Sequence, residues 1–275
     1  MLEINKVDSI DILQPLKAEY FAQTTAPLDG MWHFGFAPMS QHFGFYEGHN
    51  LVGFCCINHD GYLLQFYLAP NAKSSASDLF TLLAQNNSKV ISEVVGEVKG
   101  AFVSTCDPLF LSLSLDNVET LSVNALLYCG LRNERIEPEQ KATLVNVLPH
   151  DLGVFVTFAA DAIGAPVDWL KEYFGQLIEK QELFGYWVEG RLIASGECRK
   201  FEQFQQDYAD LGMIVSPKHR GQGIATDVLN ALIDHAQQQD LTPMCSTEAS
   251  NIGAQKAMAK AGLKSKHRFV RIDFK

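Results

Sequence analysis

Hydrophobic and polar positions change their period several times along the chain, most clearly in the last third. Phe184 to Arg199 is an aromatic and β-branched run broken at Glu189-Gly190, a hairpin signal. Tyr208 to Val215 reads as a further strand, ended by Ser216-Pro217. From Thr226 to Gln237, Val228, Leu229, Leu232, Ile233 and Ala236 return at helical spacing and give a helix one apolar face. Leu241 to Thr247 predicts a strand. Ser250 or Asn251 caps a helix that runs through Met258 and stops at Gly262, and His267 to Phe274 is a final strand. Upstream, Pro166 to Gln181 predicts a helix whose Leu170, Phe174, Leu177 and Ile178 pack against the sheet that follows.

The first half repeats this order in fainter form. Phe43-Gly44-Phe45 is matched by Phe184-Gly185-Tyr186, Glu47-Gly48 by Glu189-Gly190, and Ala69-Pro70 by Ser216-Pro217. Ser77-Asp78-Leu79-Phe80 is matched by Thr226-Asp227-Val228-Leu229, and Ser104-Thr105 by Ser246-Thr247. The separations stay near 141 to 149 residues, and five matches in order point to duplication. The expected fold class is α/β (α+β), two halves each with a mixed, mostly antiparallel sheet flanked by helices. The strand-like stretch Ala142 to Val147 precedes Leu148-Pro149-His150, which places the boundary between residues 1–148 and 149–275.

The two halves differ at one place that carries chemistry. From Pro217 to Asp227 there are ten steps, and the segment contains Gly221 and Gly223. From Pro70 to Asp78 there are eight, and Asn71 to Ser77 contains no glycine. In the second half, Arg220-Gly221-Gln222-Gly223-Ile224-Ala225-Thr226 joins a strand to a helix start. The first N–H groups of a helix have no internal acceptor, and the helix dipole favours an anion there. Gly221 and Gly223 let backbone come close to a ligand, Ala225 leaves room, Thr226 adds a hydroxyl and Arg220 a positive charge. Together these form a cradle for a diphosphate. A dinucleotide fingerprint would need glycine at the sixth position, where Thr226 stands; a Walker loop would need lysine where Ala225 stands.

Composition narrows the partners. The 275 residues are 47% hydrophobic, enough to fill a core in each half. A net charge of −10 argues against nucleic acid and mildly favours a cationic small molecule. No apolar run is long enough to span a bilayer. Met1-Leu2-Glu3-Ile4-Asn5-Lys6 is charged where a signal peptide would be apolar, so no membrane partner and a cytoplasmic location are expected. The six cysteines form no Cys-x-x-Cys pair and have no histidine at ligand spacing, which reads as free thiols and no metal. Adjacent Cys55 and Cys56 point to opposite faces of a strand.

Arg220-x-x-Gly223-x-Ala225 resembles the signature of the GNAT superfamily of N-acetyltransferases, with Val215-Ser216-Pro217 before it and an amphipathic helix after it. Asn251-x-x-Ala254 followed by Gly262-Leu263 is similar to the family's second signature. The resemblance is specific over about Phe184 to Phe274; the repeat extends it to the first half, as a tandem arrangement with a degenerate N-terminal GNAT-like half.

This resemblance implies acetyl-CoA as cosubstrate. The strand before the loop would splay from its neighbour, and the backbone of Met213, Ile214 and Val215 would meet pantetheine. The N–H groups from Gly221 through Gln222, Gly223, Ile224 and Ala225 to Thr226 would hold the pyrophosphate, and Asn251 would reach pantetheine or a water. A backbone N–H near Val215 would stabilise the oxyanion formed by direct attack of an amine. The sequence departs from the pattern where Met258 stands in place of the usual tyrosine acid and Ser246 in place of a glutamate base. The candidates left for proton transfer are Asp210, Glu197 and Ser246, with Glu248, Cys245 and His267 further out. His219, Lys218, Lys256 and Lys260 are candidates for phosphate contact or solvated charges.

The reading is an N-acetyltransferase acting on a primary amine of a small molecule, a homodimer being compatible with it. Two alternatives stay open: an acyl-CoA-binding regulator without turnover, and an acetyltransferase for protein amines. The aromatic stretch Pro27 to Phe45 reads as a wall of an acceptor cleft or as core.

Overall fold

The computed structural model describes residues 2–130 and 142–275, without the side chain of Phe34. In chain order the elements are β1 (Leu2–Lys6), α1 (Gln14–Gln23), β2 (Gln41–Glu47), β3 (Asn50–Ile57), β4 (Tyr62–Leu68), α2 (Ala76–Ala84), α3 (Lys89–Val95), β5 (Gly100–Ser104), α4 (Pro108–Asp116) and β6 (Val118–Cys129). Then come β7 (Val145–Asn146), α5 (Leu152–Ile163), α6 (Val167–Glu179), β8 (Leu183–Val188), β9 (Arg191–Lys200), β10 (Tyr208–Val215), α7 (Ile224–Gln237), β11 (Thr242–Glu248), α8 (Ile252–Lys260) and β12 (Lys264–Phe274). No helix among the described residues is long and apolar enough to cross a membrane.

The residues form two compact units: Met1–Leu126 with His267–Lys275, and Leu127–Lys266. In the first, the strand order is β1-β2-β3-β4-β5-β12-β6, antiparallel at every assigned register except the parallel pair β4–β5. In the second it is β11-β10-β9-β8-β7, with β10–β11 the parallel pair. Both sheets are thus mixed and mostly antiparallel, as the sequence pattern implies.

The duplication is visible in detail. The β2–β3 register shifts between Phe45 and Tyr46, and the β8–β9 register between Tyr186 and Trp187. Both hairpins turn on a glycine with positive φ, 64° at Gly48 and 73° at Gly190. The amphipathic helices form where the spacing put them. Val228, Leu229, Leu232, Ile233 and Ala236 of α7 are fully buried, and Leu170, Phe174, Leu177 and Ile178 of α6 pack with Phe155, Val156 and Ala159 of α5.

The units divide the chain differently from a split at residue 148. The strand expected over His267 to Phe274 forms, but it pairs antiparallel with β5, from Phe269↔Ser104 to Asp273↔Gly100. Its alternation explains this, because Val270, Ile272 and Phe274 complete the first unit's core with Phe66, Phe80 and Phe110. The second unit instead begins at Leu127, where Gly130 donates its N–H to Pro243 O at 2.8 Å. The strand expected over Ala142 to Val147 is reduced to Val145–Asn146.

Asp273 clasps the returning strand. It accepts from Tyr62 Oη at 2.8 Å, Thr120 Oγ1 at 2.7 Å and Arg271 Nε at 3.0 Å. Burial acts to raise its pKa, but those bonds outweigh it and hold the carboxyl below its usual value. Asp273→Asn is expected to cost about 1 kcal/mol or less at neutral pH, given its partial exposure. The folded pKa is depressed, so this stabilisation is full above about pH 4 and fades as pH falls through the folded value. Denaturant midpoints at pH 7 and pH 3 check both parts.

In the aromatic stretch after Pro27, Phe43 and Phe45 are core, Trp32 is half-buried against it and Phe36 is exposed. Trp32 packs on Phe36, Phe102 and Phe269, with its nearest ring centroid 4.2 Å away, and donates Nε1–H to Leu64 O at 3.4 Å. Cys55 and Cys56 do face opposite sides of β3, each in a different apolar cluster, and none of the six cysteines forms a disulfide among the described residues.

Candidate functional site

β10 and β11 pair in parallel at Tyr208↔Thr242, Ala209↔Pro243 and Asp210↔Met244, and no further. On its other side, β10 stays paired with β9 through Val215↔Ala194. From Leu211 onward, therefore, one edge of β10 carries backbone groups that β11 does not satisfy. Burial follows the opening: Ala209, Asp210 and Leu211 are buried, whereas Gly212, Met213, Ile214 and Val215 are half-buried. Met213, Ile214 and Val215, named from the sequence, line this edge. Ser246 lies half-buried on the opposite side, beyond the last paired residue of β11.

The loop after β10 turns through Pro217–His219 and enters α7 at Gly223. Gly221 and Gly223 have φ of 79° and 89°, which side-chain-bearing residues avoid, and a Cβ on either would meet nothing within 4 Å. No side chain caps α7. The first backbone bonds run from Thr226 and Asp227 N–H to Gly223 O, at 2.8 and 3.2 Å. Among the described residues, no protein group accepts from the N–H groups of Gly221, Gln222, Gly223, Ile224 or Ala225. A row of donors at a helix N-terminus facing open space is an anion cradle.

The first unit shows the contrast at the equivalent bend. Glu47 accepts there from Lys73 N–H at 2.9 Å and from Ser74 N–H and Oγ at 2.8 and 2.9 Å, while Ser75 caps α2 through Asp78 N–H. An internal carboxylate already takes up the backbone donors of this bend.

Arg220 does not reach over the cradle. Its Nε donates to Val215 O at 3.2 Å and its Nη2 to Ala162 O at 2.8 Å, tying the end of β10 to the last turn of α5. Arg220→Ala is expected to weaken acetyl-CoA binding about 3- to 10-fold through a looser loop, since hydrogen bonds to charged groups are worth about 1.5–3 kcal/mol before exposure discounts them. A calorimetric titration reads this. Gln222 is exposed and donates to Lys218 O at 3.5 Å. Asn251 caps α8, accepting from Ala254 N–H at 3.1 Å. Met258 is buried in the core, so no side-chain acid occupies the tyrosine position of the family pattern. Lys218, Lys256 and Lys260 are exposed, Glu248 lies at an exposed strand end, and His267 meets Thr105 in the first unit.

On the α6 face of the sheet, cross-strand pairing sets Arg199 opposite Asp210 and Glu197 opposite Gly212. Arg199 Nη2 donates to Asp210 Oδ2 at 2.5 Å, and Nη1 to Glu197 Oε2 at 3.0 Å and to the Tyr173 hydroxyl. Tyr173 in turn donates to Glu197 Oε2 at 2.6 Å. Burial opposes the Arg199 charge, but Asp210, Tyr173 and Glu197 more than offset it and push its pKa well up, so it stays a cation. Burial, then the Glu197 charge, pushes the Tyr173 pKa up, so Tyr173 stays a donor.

Two candidates for proton transfer therefore separate. Asp210 is 1% exposed, is ion-paired, and lies where β10 and β11 are still joined. Glu197 is 6% exposed and pairs with Gly212, the second residue past the β10–β11 pairing; a Cβ on Gly212 would come within 3.0 Å of its Oε2. Only Oε2 of Glu197 is engaged, leaving Oε1 without a donor among the described residues. Tyr173 and Arg199 were absent from the sequence-based list. The sole sequence signal was the alternation that puts Arg199 two residues after Glu197 on the same strand face.

Comparison with known proteins identifies the family and the fold. Residues 9–130 match the acetyltransferase (GNAT) domain, and residues 157–263 the acetyltransferase (GNAT) family. The chain is similar to an acetyltransferase from the GNAT family of Colwellia psychrerythraea, with 53% identity over 99% of this chain and 100% of that one, and a TM-score of 0.93. Its fold is shared by a tandem GNAT protein from the clavulanic acid biosynthesis pathway (15% identity, 98% and 97% covered, TM-score 0.67). The same holds for a GCN5-related N-acetyltransferase from Sphaerobacter thermophilus (14%, 99% and 95%, 0.67). No curated protein matches the sequence.

Proposed function

The chain belongs to the GNAT family of acetyltransferases, which use acetyl-CoA, and from that premise we propose that its second unit acetylates a primary amine of a small molecule by direct attack. The observation that carries this reading is one continuous arrangement. The free edge of β10 starts past Asp210, beside the Gly212–Glu197 pair, and leads along Met213, Ile214 and Val215 toward the uncapped N-terminus of α7. Acetyl-CoA supplies an activated thioester; the amine gains the acetyl group and the thiol leaves.

The residues divide the work. The N–H groups of Gly221 to Ala225 bind the diphosphate, with the Thr226 hydroxyl beside them, and the open edge of β10 at Met213, Ile214 and Val215 aligns pantetheine. Asn251 keeps its amide N–H groups for pantetheine or water while its carbonyl caps α8. Glu197 Oε1 takes the proton from the incoming ammonium, and Tyr173 and Arg199 fix that carboxylate by holding Oε2. Asp210 holds Arg199 rather than the substrate. Ser246, across the opening, orients a water or the amine. A cytoplasmic location and a small, cationic acceptor fit the acidic composition.

The test is thiol release across an amine panel. Glu197→Gln keeps the acceptor atom for Tyr173 and Arg199 but cannot take a proton. It is expected to lower kcat about 100-fold or more, with acetyl-CoA affinity unchanged. Full activity in that variant would remove Glu197 from this role. Acetyl-CoA binding without thiol release on any small amine would favour the non-turnover or protein-amine reading.

A further inference from the structure

The first unit contains a second set of polar groups that acyl transfer does not use. α1 lies over one face of β2, β3 and β4, with Tyr20 packed edge-on to Phe54 and Tyr67. On that face the registers His42↔Cys56 and Cys56↔Gln65 place His42, Cys56 and Gln65 in a row across the three strands. Lys17 and Tyr20, one helical turn apart, look down on the row. The row ends at a second strand opening. β4 and β5 pair in parallel only at Tyr62↔Gly100 and Leu63↔Ala101, so Gln65 lies beyond the last pair, and Asp107 follows β5 at the start of α4.

These groups are buried and incompletely satisfied. Lys17 is 7% exposed, His42 3%, Gln65 2% and Asp107 7%. His42 donates Nε2–H to Ala37 O at 2.9 Å, which leaves Nδ1 as an acceptor with no donor. Gln65 Oε1 and Asp107 Oδ2 also lack partners; the other Asp107 oxygen caps α4 through Phe110 N–H at 3.1 Å. The Tyr20 hydroxyl lies beside Asp107 and favours the charged form of that carboxyl. Among the described residues, the Lys17 ammonium has no hydrogen bond or ion pair, and burial lowers its pKa. Buried polar groups in native proteins are normally paired, and each orphan costs about 1–3 kcal/mol. Three such atoms in one layer between a helix and a sheet, His42 Nδ1, Gln65 Oε1 and Asp107 Oδ2, with the Lys17 ammonium beside them, form a built polar site rather than packing.

The charges sit at opposite ends. Lys17 is close enough to Cys56, His42 and His33 to act on all three, and burial and then Lys17 pull both imidazoles down to about 4. Asp107 belongs to the Tyr20 and Cys106 end, and burial pushes it up to about 6. Neither charge has a counter-ion in this unit. A ligand that satisfies both carries an anion for Lys17 and an ammonium for Asp107, with N–H donors to spare for Gln65 and His42. We propose that the layer between α1 and β2–β3–β4 binds a small zwitterion of the amino-acid class, its carboxylate against Lys17 and its ammonium against Asp107. The degenerate half is then a ligand-binding module in its own right, independent of the acyl-transfer reading.

Isothermal titration calorimetry of the full chain with glycine, β-alanine and γ-aminobutyrate tests this, with butyrate and butylamine as single-charge controls. At least one zwitterion is expected to bind at one site per chain with a dissociation constant below about 10 mM, and neither control is expected to give heat. Lys17→Met and Asp107→Asn (which keeps the α4 cap) should each weaken binding at least 10-fold while leaving acetyl-CoA affinity unchanged. Absence of zwitterion binding at 10 mM, equal binding of the controls, or full binding in both variants would overturn the proposal. Should Lys17→Met fail to fold, Asp107→Asn alone decides it.

Discussion

Replacing Gly223 by glutamate is expected to reduce acetyl-CoA affinity at least about 100-fold, equivalent to about 2.7 kcal/mol. Two effects act together. Gly223 has φ of 89°, so any side chain there is strained by roughly 1–2 kcal/mol. More importantly, a carboxylate at this position reaches the N–H groups that a diphosphate would use. Glu47 already does this in the first unit, where it closes on Lys73 and Ser74. The substitution should leave the fold intact, because a negative charge at a helix N-terminus stabilises by about 0.3–1 kcal/mol and offsets part of the strain. Gly223→Ala separates the two effects: a Cβ meets nothing within 4 Å, so only the strain remains and the loss should be about 10-fold or less. Equal affinities for wild type and the glutamate variant would remove the cradle from the site.

The second large effect is on stability. Arg199→Met is expected to destabilise the second unit by about 3–5 kcal/mol, the usual cost of breaking a buried ion cluster from one side. Asp210 and Glu197 are 1% and 6% exposed, and the substitution leaves both carboxylates without their cation. Adding Asp210→Leu to the same chain should recover part of the loss, because it removes one of the stranded charges. A coupling of about 1 kcal/mol or more between the two substitutions, measured from denaturant midpoints, is therefore expected. Strict additivity would mean that the cluster does not act as a unit. Arg199→Met should also lower kcat by misplacing Glu197, and that effect should persist at temperatures where the variant is fully folded.

The elements and the cradle were legible in the sequence because they rest on local rules. Val228, Leu229, Leu232, Ile233 and Ala236 declare a buried helix face by spacing alone, and Gly221 and Gly223 declare positive φ by residue type. The duplicated hairpins were legible for the same reason; the register shift that each carries was not. Three further features were not legible. The return of β12 to the first unit depends on which sheet its apolar face completes, and Val270, Ile272 and Phe274 suit either edge by composition. The role of Arg220 depends on Ala162, 58 positions away, so a cation beside a phosphate loop reads as a ligand when its guanidinium is a brace. The Tyr173–Glu197–Arg199–Asp210 cluster joins α6, β9 and β10. No period or motif announces it, and in it Asp210 and Glu197 take different roles.

On this reading, one half of the duplicated chain keeps the acyl-donor site while Glu47 takes up the equivalent bend of the other. Calorimetric titration of the intact chain with acetyl-CoA distinguishes the halves. One site per chain is expected, lost in Gly223→Glu and unchanged in Glu47→Gln. No binding at millimolar acetyl-CoA, or two sites per chain, would contradict it.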